Sequence, residues 1–136
     1  FRWYYAAAKQ GQPDAQASVA GAFAIGVGVN ADIVRSVYWY RRAAKQGIPR
    51  AQFVLGLEYF DGTFLPKNLA KSYMWLTLAL EREFESAKSR LETVMKSISP
   101  GELLEGKARV AKWTPQSERL LAVERRIKLE FHDRPR

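Results

Sequence analysis

The sequence predicts an all-α fold, a stack of antiparallel helical hairpins that repeats every 36 residues. Three observations carry that prediction. Residues 39–52 read WYRRAAKQGIPRAQ and residues 3–16 read WYYAAAKQGQPDAQ, so one string recurs 36 positions later with 10 of 14 residues identical. Self-similarity at such a period marks a repeat architecture. Within the period, apolar residues fall at helical spacing: Ala51, Leu55 and Tyr59 stand at i, i+4 and i+8, one stripe of a helix. Each stripe is also bounded by residues that start and stop helices.

Residues 1–10 read as the second helix of a hairpin, so the chain is expected to open part-way through a repeat. No export signal, a charged segment followed by an apolar one, is visible at this start. Gly11 and Pro13 then form a stop followed by a start. Glycine suits the left-handed position after a helix, and proline in a first turn removes an N–H that has no partner inside the helix. A helix over 13–25 follows. Gly26-Val27-Gly28-Val29 reads as the tight turn inside the hairpin. It looks like a phosphate-cradling loop only superficially, because those fingerprints need a strand before the glycines. Asp32 caps a helix over 33–46 by accepting a backbone N–H.

Gly47 and Pro49 repeat the junction, a helix over 49–61 follows, and Asn68 takes the place of Asp32 ahead of a helix over 69–80. Trp3, Trp39 and Trp75 share one register position, and Ala7, Ala43 and Ala79 another. Trp39 and Ala43 also share a helix face, so the tryptophans are expected to be packing residues. After Glu83 the pattern decays into a helix over 84–97. Ser99-Pro100-Gly101-Glu102 forms a capping box that opens a helix to about Trp113, and Thr114-Pro115 predicts a last helix to about Phe131. Terminal units of such stacks are atypical because they close an apolar face, and Trp113 is expected to seal that end. Residues 1–98 are thus read as repeats, the first one partial, 99–131 as capping helices and 132–136 as a polar tail.

The totals exclude several classes. The chain of 136 residues is 47% hydrophobic and 26% charged, ordinary for a soluble globular chain. Its longest apolar run, 19–29, is interrupted by three glycines and is far shorter than a bilayer span. Cysteine is absent, which removes disulfides, thiolate nucleophiles and cysteine zinc sites. The one histidine, His132, lies in the polar end without an orienting partner or a shielded site. There is no nucleophile elbow, and no metal ligands stand at helical spacing. The expectation is therefore a non-enzyme without catalytic residues, cofactor, metal or small-molecule substrate. Net charge is +8, with nine basic and four acidic residues in 1–80 (+5) and 13 and 10 in 81–136 (+3). An excess spread this evenly reads as solvated helix faces. It leaves binding of nucleic acid or another polyanion as the alternative function.

The best register is Gly26-x-Gly28-Val29-x-x-Asp32, then Arg35-Ser36-x-x-Trp39-Tyr40-x-Arg42-Ala43-Ala44-x-Gln46-Gly47, then Ala51, Leu55-Gly56, Tyr59 and Gly62. It resembles the Sel1-like repeat family, a relative of the tetratricopeptide repeat. The resemblance covers about residues 1–98, and 75–113 looks like the C-terminal hairpin of bacterial members. In the next register Gly28, Val29 and Asp32 become Phe64, Leu65 and Asn68, a departure confined to the second interhelix loop. Residues 114–136 have no counterpart in the family. The resemblance implies a right-handed α-solenoid that serves as a protein-interaction scaffold or adaptor, common in bacteria and placed in the cell envelope (periplasm) or cytoplasm. The cysteine-rich branch linked to β-lactam binding relies on disulfides, so that activity does not carry over.

The candidate binding residues come from the same comparison. In tetratricopeptide hairpins, first-helix positions beside the packing stripe face a concave groove. Carried onto this chain they are Arg50, Phe53, Leu57 and Phe60. One repeat earlier the equivalents of the last three are Ala17, Gly21 and Ala24, which are small, and one repeat later Ser89, Thr93 and Lys96, which are polar. A peptide or partner helix would be anchored at the apolar centre. The alternative is that Phe53, Leu57 and Phe60 pack against neighbouring hairpins. A second candidate is the stripe Leu120, Val123, Ile127 and Phe131, flanked by Arg119, Arg125, Arg126 and Lys128. It is expected to cover the exposed end of the solenoid, and membrane contact is expected only through this basic helix.

Overall fold

Proline, glycine and short polar caps set the helix boundaries. The computed structural model describes residues 1–132, with side chains through Glu130. Its helices are α1 (Arg2–Lys9), α2 (Pro13–Ile25), α3 (Ile33–Lys45), α4 (Pro49–Asp61), α5 (Leu69–Glu81), α6 (Ser86–Ser97), α7 (Pro100–Lys112) and α8 (Glu118–His132). No strand occurs among the described residues, and no helix there is long and apolar enough to cross a membrane. Pro13, Pro49 and Pro100 each stand in a first turn. Asp32 accepts from the Arg35 amide at 3.1 Å and Asn68 from the Lys71 amide at 3.0 Å, so the asparagine caps as the aspartate does. Ser99 and Glu102 close a complete capping box.

The repeat extends to individual hydrogen bonds. The Ser36 hydroxyl donates to the Ala20 carbonyl and the Ser72 hydroxyl to the Gly56 carbonyl, both at 2.7 Å. The Gln16 amide donates to the Ala8 carbonyl at 3.1 Å and the Gln52 amide to the Ala44 carbonyl at 3.2 Å. These buried bonds sit 36 residues apart and tie each helix to the one before it. The junction after each second helix repeats too. Gly11 and Gly47 have φ of 93° and 100°, and Glu83 takes the same left-handed position at 65°. A side chain is strained there, so the third junction keeps the path of the chain without the residue that suits it.

From α1 to α6 each helix packs against the next, α6 also touches α4, and α7 lies against α5. The main core joins Val19, Phe23, Trp39, Leu55, Tyr59 and Trp75 with the small Ala8, Ala43, Ala44 and Ala51. A second cluster joins Leu76, Ala79, Ala87 and Val94. Gly56 permits the closest approach: a Cβ there would stand 2.6 Å from Leu76 Cγ. The stack is an α-solenoid.

Several expectations need correction. Trp39 is 5% exposed and Trp75 is also buried, but Trp3 is 89% exposed. Trp39 packs edge-on against Tyr5 of α1, whereas no described helix lies in front of α1 to do the same for Trp3. Thr114-Pro115 does not begin a helix. Residues 113–117 run without helical structure, and the Ser117 hydroxyl accepts the Leu120 amide at 3.3 Å as α8 starts. The reason is tertiary, because the Gln116 amide is bonded to the Lys45 carbonyl at 2.9 Å. Trp113 turns back onto Trp75 instead of sealing the far end. Nor does α8 cover an end of the stack, since Leu120, Val123 and Ile127 are exposed. The side chain of Phe131 and the polar tail, apart from the backbone of His132, lie outside the described residues.

Candidate functional site

The four candidate residues all sit on α4, and the helical repeat splits them between two surroundings. Arg50 stands in the first turn, exposed, beside an open groove of about 400 Å³. The floor of that groove comes from Ser18, Gly21 and Ala22 of α2, and its walls from Phe1, Tyr4, Ile25 and Val27. Gly21 is not required by close packing, as its nearest neighbour would be the Tyr40 hydroxyl at 3.5 Å from an added Cβ. Its missing side chain is part of the open floor. Burial raises the pKa of the Tyr40 phenol, and the positive charge of Arg50 opposes that rise.

Phe53, Leu57 and Phe60 lie on the side of α4 that faces α6, and all three are half-buried. Phe53 packs on Phe84 with ring centroids 5.0 Å apart. Leu57 and Phe60 border a slot of about 20 Å³ shared with Leu76, Thr93 and Val94, room for about one water and no side chain. Lys67 stands 5.5 Å over the ring of Phe60. The structure therefore brings Phe53, Leu57 and Phe60 together against the next hairpin and sets Arg50 apart on the groove beside α1 and α2. The apolar wall residues Phe1, Tyr4, Ile25 and Val27 escaped sequence reasoning. Their one signal was that Ile25 and Val27 are large apolar residues outside the register stripe.

No cluster of three or more His, Cys, Asp or Glu able to hold a metal exists among the described residues. The His132 side chain is not among them.

The Sel1 repeat family model matches residues 1–12, 13–48 and 49–83, which are α1, the hairpin α2–α3, and the hairpin α4–α5 with its junction. The chain belongs to the Sel1 repeat family. The Sel1 fold is generally a protein–protein interaction scaffold, and its members are typically non-catalytic. A Sel1 repeat protein from Oxalobacter formigenes shares 40% identity, superimposes with a TM-score of 0.64, and is matched over 68% of this chain and 69% of its own. A protective antigen present in uropathogenic Escherichia coli strains, displaying an SLR fold, superimposes with a TM-score of 0.75 over 82% of this chain at 24% identity. That likeness concerns the fold alone, and the chain spans only 24% of the antigen's length. No curated protein sequence matches the chain.

Proposed function

We propose that this Sel1 solenoid is a non-enzymatic adaptor that holds a protein or peptide segment along the face made by its first helices. The supporting observation is the open groove between α1, α2 and the start of α4. Its walls are large apolar side chains, its floor is small, and the exposed, cationic Arg50 stands at its rim. That combination suits an apolar side chain of a partner next to an acidic or carbonyl group. Phe53, Leu57 and Phe60 extend the apolar row toward α6, where a partner would add contacts only by displacing half-buried rings.

Panning a random peptide library against the full chain tests the reading. Enriched peptides should share an apolar anchor. Their affinity should fall at least tenfold for Ile25→Asp and for Arg50→Glu, and less for Leu57→Ala. If no peptide is enriched, or if enriched peptides bind both variants as well as the parent, the groove is not the binding face. The basic excess favours the polyanion alternative less, because α6, α7 and α8 each carry charges of both signs. Binding of mixed nucleic acid that weakens steeply with salt would support it.

A further inference from the structure

The segment between α7 and α8 does not hang free. It crosses the junctions of the repeats, and its contacts are those of a bound peptide. Trp113 lies edge-on to Trp75, 6.4 Å between centroids, with the Arg82 guanidinium 4.6 Å over its ring. Gly47 leaves the space in which Trp113 and Pro115 rest. The Gln116 amide donates to the Lys45 carbonyl. The Glu118 amide donates to Gln46 Oε1 at 3.1 Å. The Glu118 carboxylate accepts from Arg42 Nε at 3.0 Å, from Gln46 Nε2 at 2.8 Å, and from Gln16 Nε2.

The groups that receive Glu118 are held in place by the repeat itself. Gln16 is fully buried and tied to the Ala8 carbonyl. Gln46 Nε2 stands 3.0 Å from the Gly11 carbonyl and 2.9 Å from Gln16 Oε1, sharing its two hydrogens among these acceptors and Glu118. The receptor is thus organised independently of the segment it receives, and charged hydrogen bonds of this kind are the strong ones. It also exists at one junction only, since the register equivalents of Arg42 are Ala6 and Leu78.

Two further observations indicate that Glu118 is not the only acid the site suits. An open cavity of about 280 Å³ adjoins it, with Lys9 and Arg125 in its wall beside the paired Arg42 and Glu118. Of the three cations lining it, Lys9 and Arg42 belong to the repeats and Arg125 to α8, and Glu118 is the one carboxylate among the described lining residues. In addition, the apolar stripe of α8 does not hold the segment in place, since Leu120, Val123 and Ile127 are 65%, 52% and 47% exposed.

We propose that the junction formed by Gln16, Arg42 and Gln46, with Lys9 beside it, is a binding site for an acidic, extended peptide segment, and that residues 113–118 occupy it as an intramolecular ligand. The partner it takes in their place carries an aromatic residue, a carboxylate five positions later, and a further acidic group for Lys9. The site is separate from the Arg50 groove and does not depend on it. A short tether supplies a local concentration of about the millimolar range, so an external peptide competes poorly until the internal carboxylate is removed.

The probe is a capped peptide with the sequence of residues 112–119, titrated by fluorescence anisotropy into the full chain. Glu118→Ala should bind it at least tenfold more tightly than the unsubstituted chain. Adding Arg42→Ala should remove that gain, and a probe with glutamine in place of its glutamate should bind at least tenfold more weakly. Equal affinity for both probes, or no binding to a Glu118→Ala chain that keeps its helical circular dichroism, overturns the proposal. Should Glu118→Ala fail to fold, amide exchange on the unsubstituted chain decides. At about 5 mM probe, matching the tethered concentration, Gln116 and Glu118 should exchange at least fivefold faster with α3 unchanged. No acceleration refutes displacement.

Discussion

Trp3 and Trp39 occupy the same register position, so replacing each by alanine compares one side chain in two environments. A buried aromatic side chain removes ~150–250 Å² from water, worth ~4–6 kcal/mol at ~25 cal/mol per Å². Partial collapse of the site leaves ~3–5 kcal/mol for a core tryptophan changed to alanine. Trp39, at 5% exposure, should cost that much, and it also loses the Arg42 guanidinium 4.6 Å over its ring and its edge contact with Tyr5. Trp3, at 89% exposure, has little to lose and should cost under ~0.5 kcal/mol. Urea unfolding followed by far-ultraviolet circular dichroism measures both. A shift in Tm of roughly 10–20 °C should accompany Trp39→Ala and about 2 °C or less Trp3→Ala. If the two costs agree within ~1 kcal/mol, the tryptophan column does not face the preceding second helix, and the stacking argument fails.

Other substitutions test other parts of the fold. Glu83→Gly should stabilise the chain by about 0.5–1 kcal/mol in the same assay, because glycine relieves a left-handed strain of ~1–2 kcal/mol and returns part of that as unfolded-state entropy. Gly56→Ala should destabilise by about 1–3 kcal/mol, since its Cβ would stand 2.6 Å from Leu76 Cγ in a tightly packed pair of helices; a neutral result would show that α4 and α5 can separate freely. The Ser99 backbone amide, and then its hydroxyl, hold the Glu102 carboxyl below the usual carboxylate range. A lowered folded pKa gives stability that is present above the unfolded value and lost as pH falls through the folded one. Amide protection at the start of α7 should therefore decline on acidification, and Glu102→Gln should abolish that dependence.

Much of the site was less legible than the fold. Arg50, Phe53, Leu57 and Phe60 were chosen by register, which says which side of α4 a residue occupies and nothing about what stands opposite. α6 begins one residue later than its register predicts, and Phe84 at its approach packs on Phe53. Arg50 meets instead a groove opened by Gly21 and Ala22 of the preceding hairpin. Small residues read in sequence as a shallow end become the open floor of the largest space near the candidates.

The sequence alone determined the period, the boundaries of the repeat helices α1 to α5 to within a residue or so, the caps and the alanine and tryptophan columns. Each of these follows from interactions within a turn or two of helix, or from one repeat meeting the next, and such interactions leave a periodic trace. Only the tertiary structure decided which equivalents are buried, as with Trp39 against Trp3, and where residues 113–118 run. The bond between Gln16 and Glu118 joins residues 102 positions apart. It belongs to no period, and it depends on Gln46, Arg42 and Gly11 being brought to one junction by helices already stacked. A contact of that kind forms once in the molecule, so nothing in the sequence repeats to announce it.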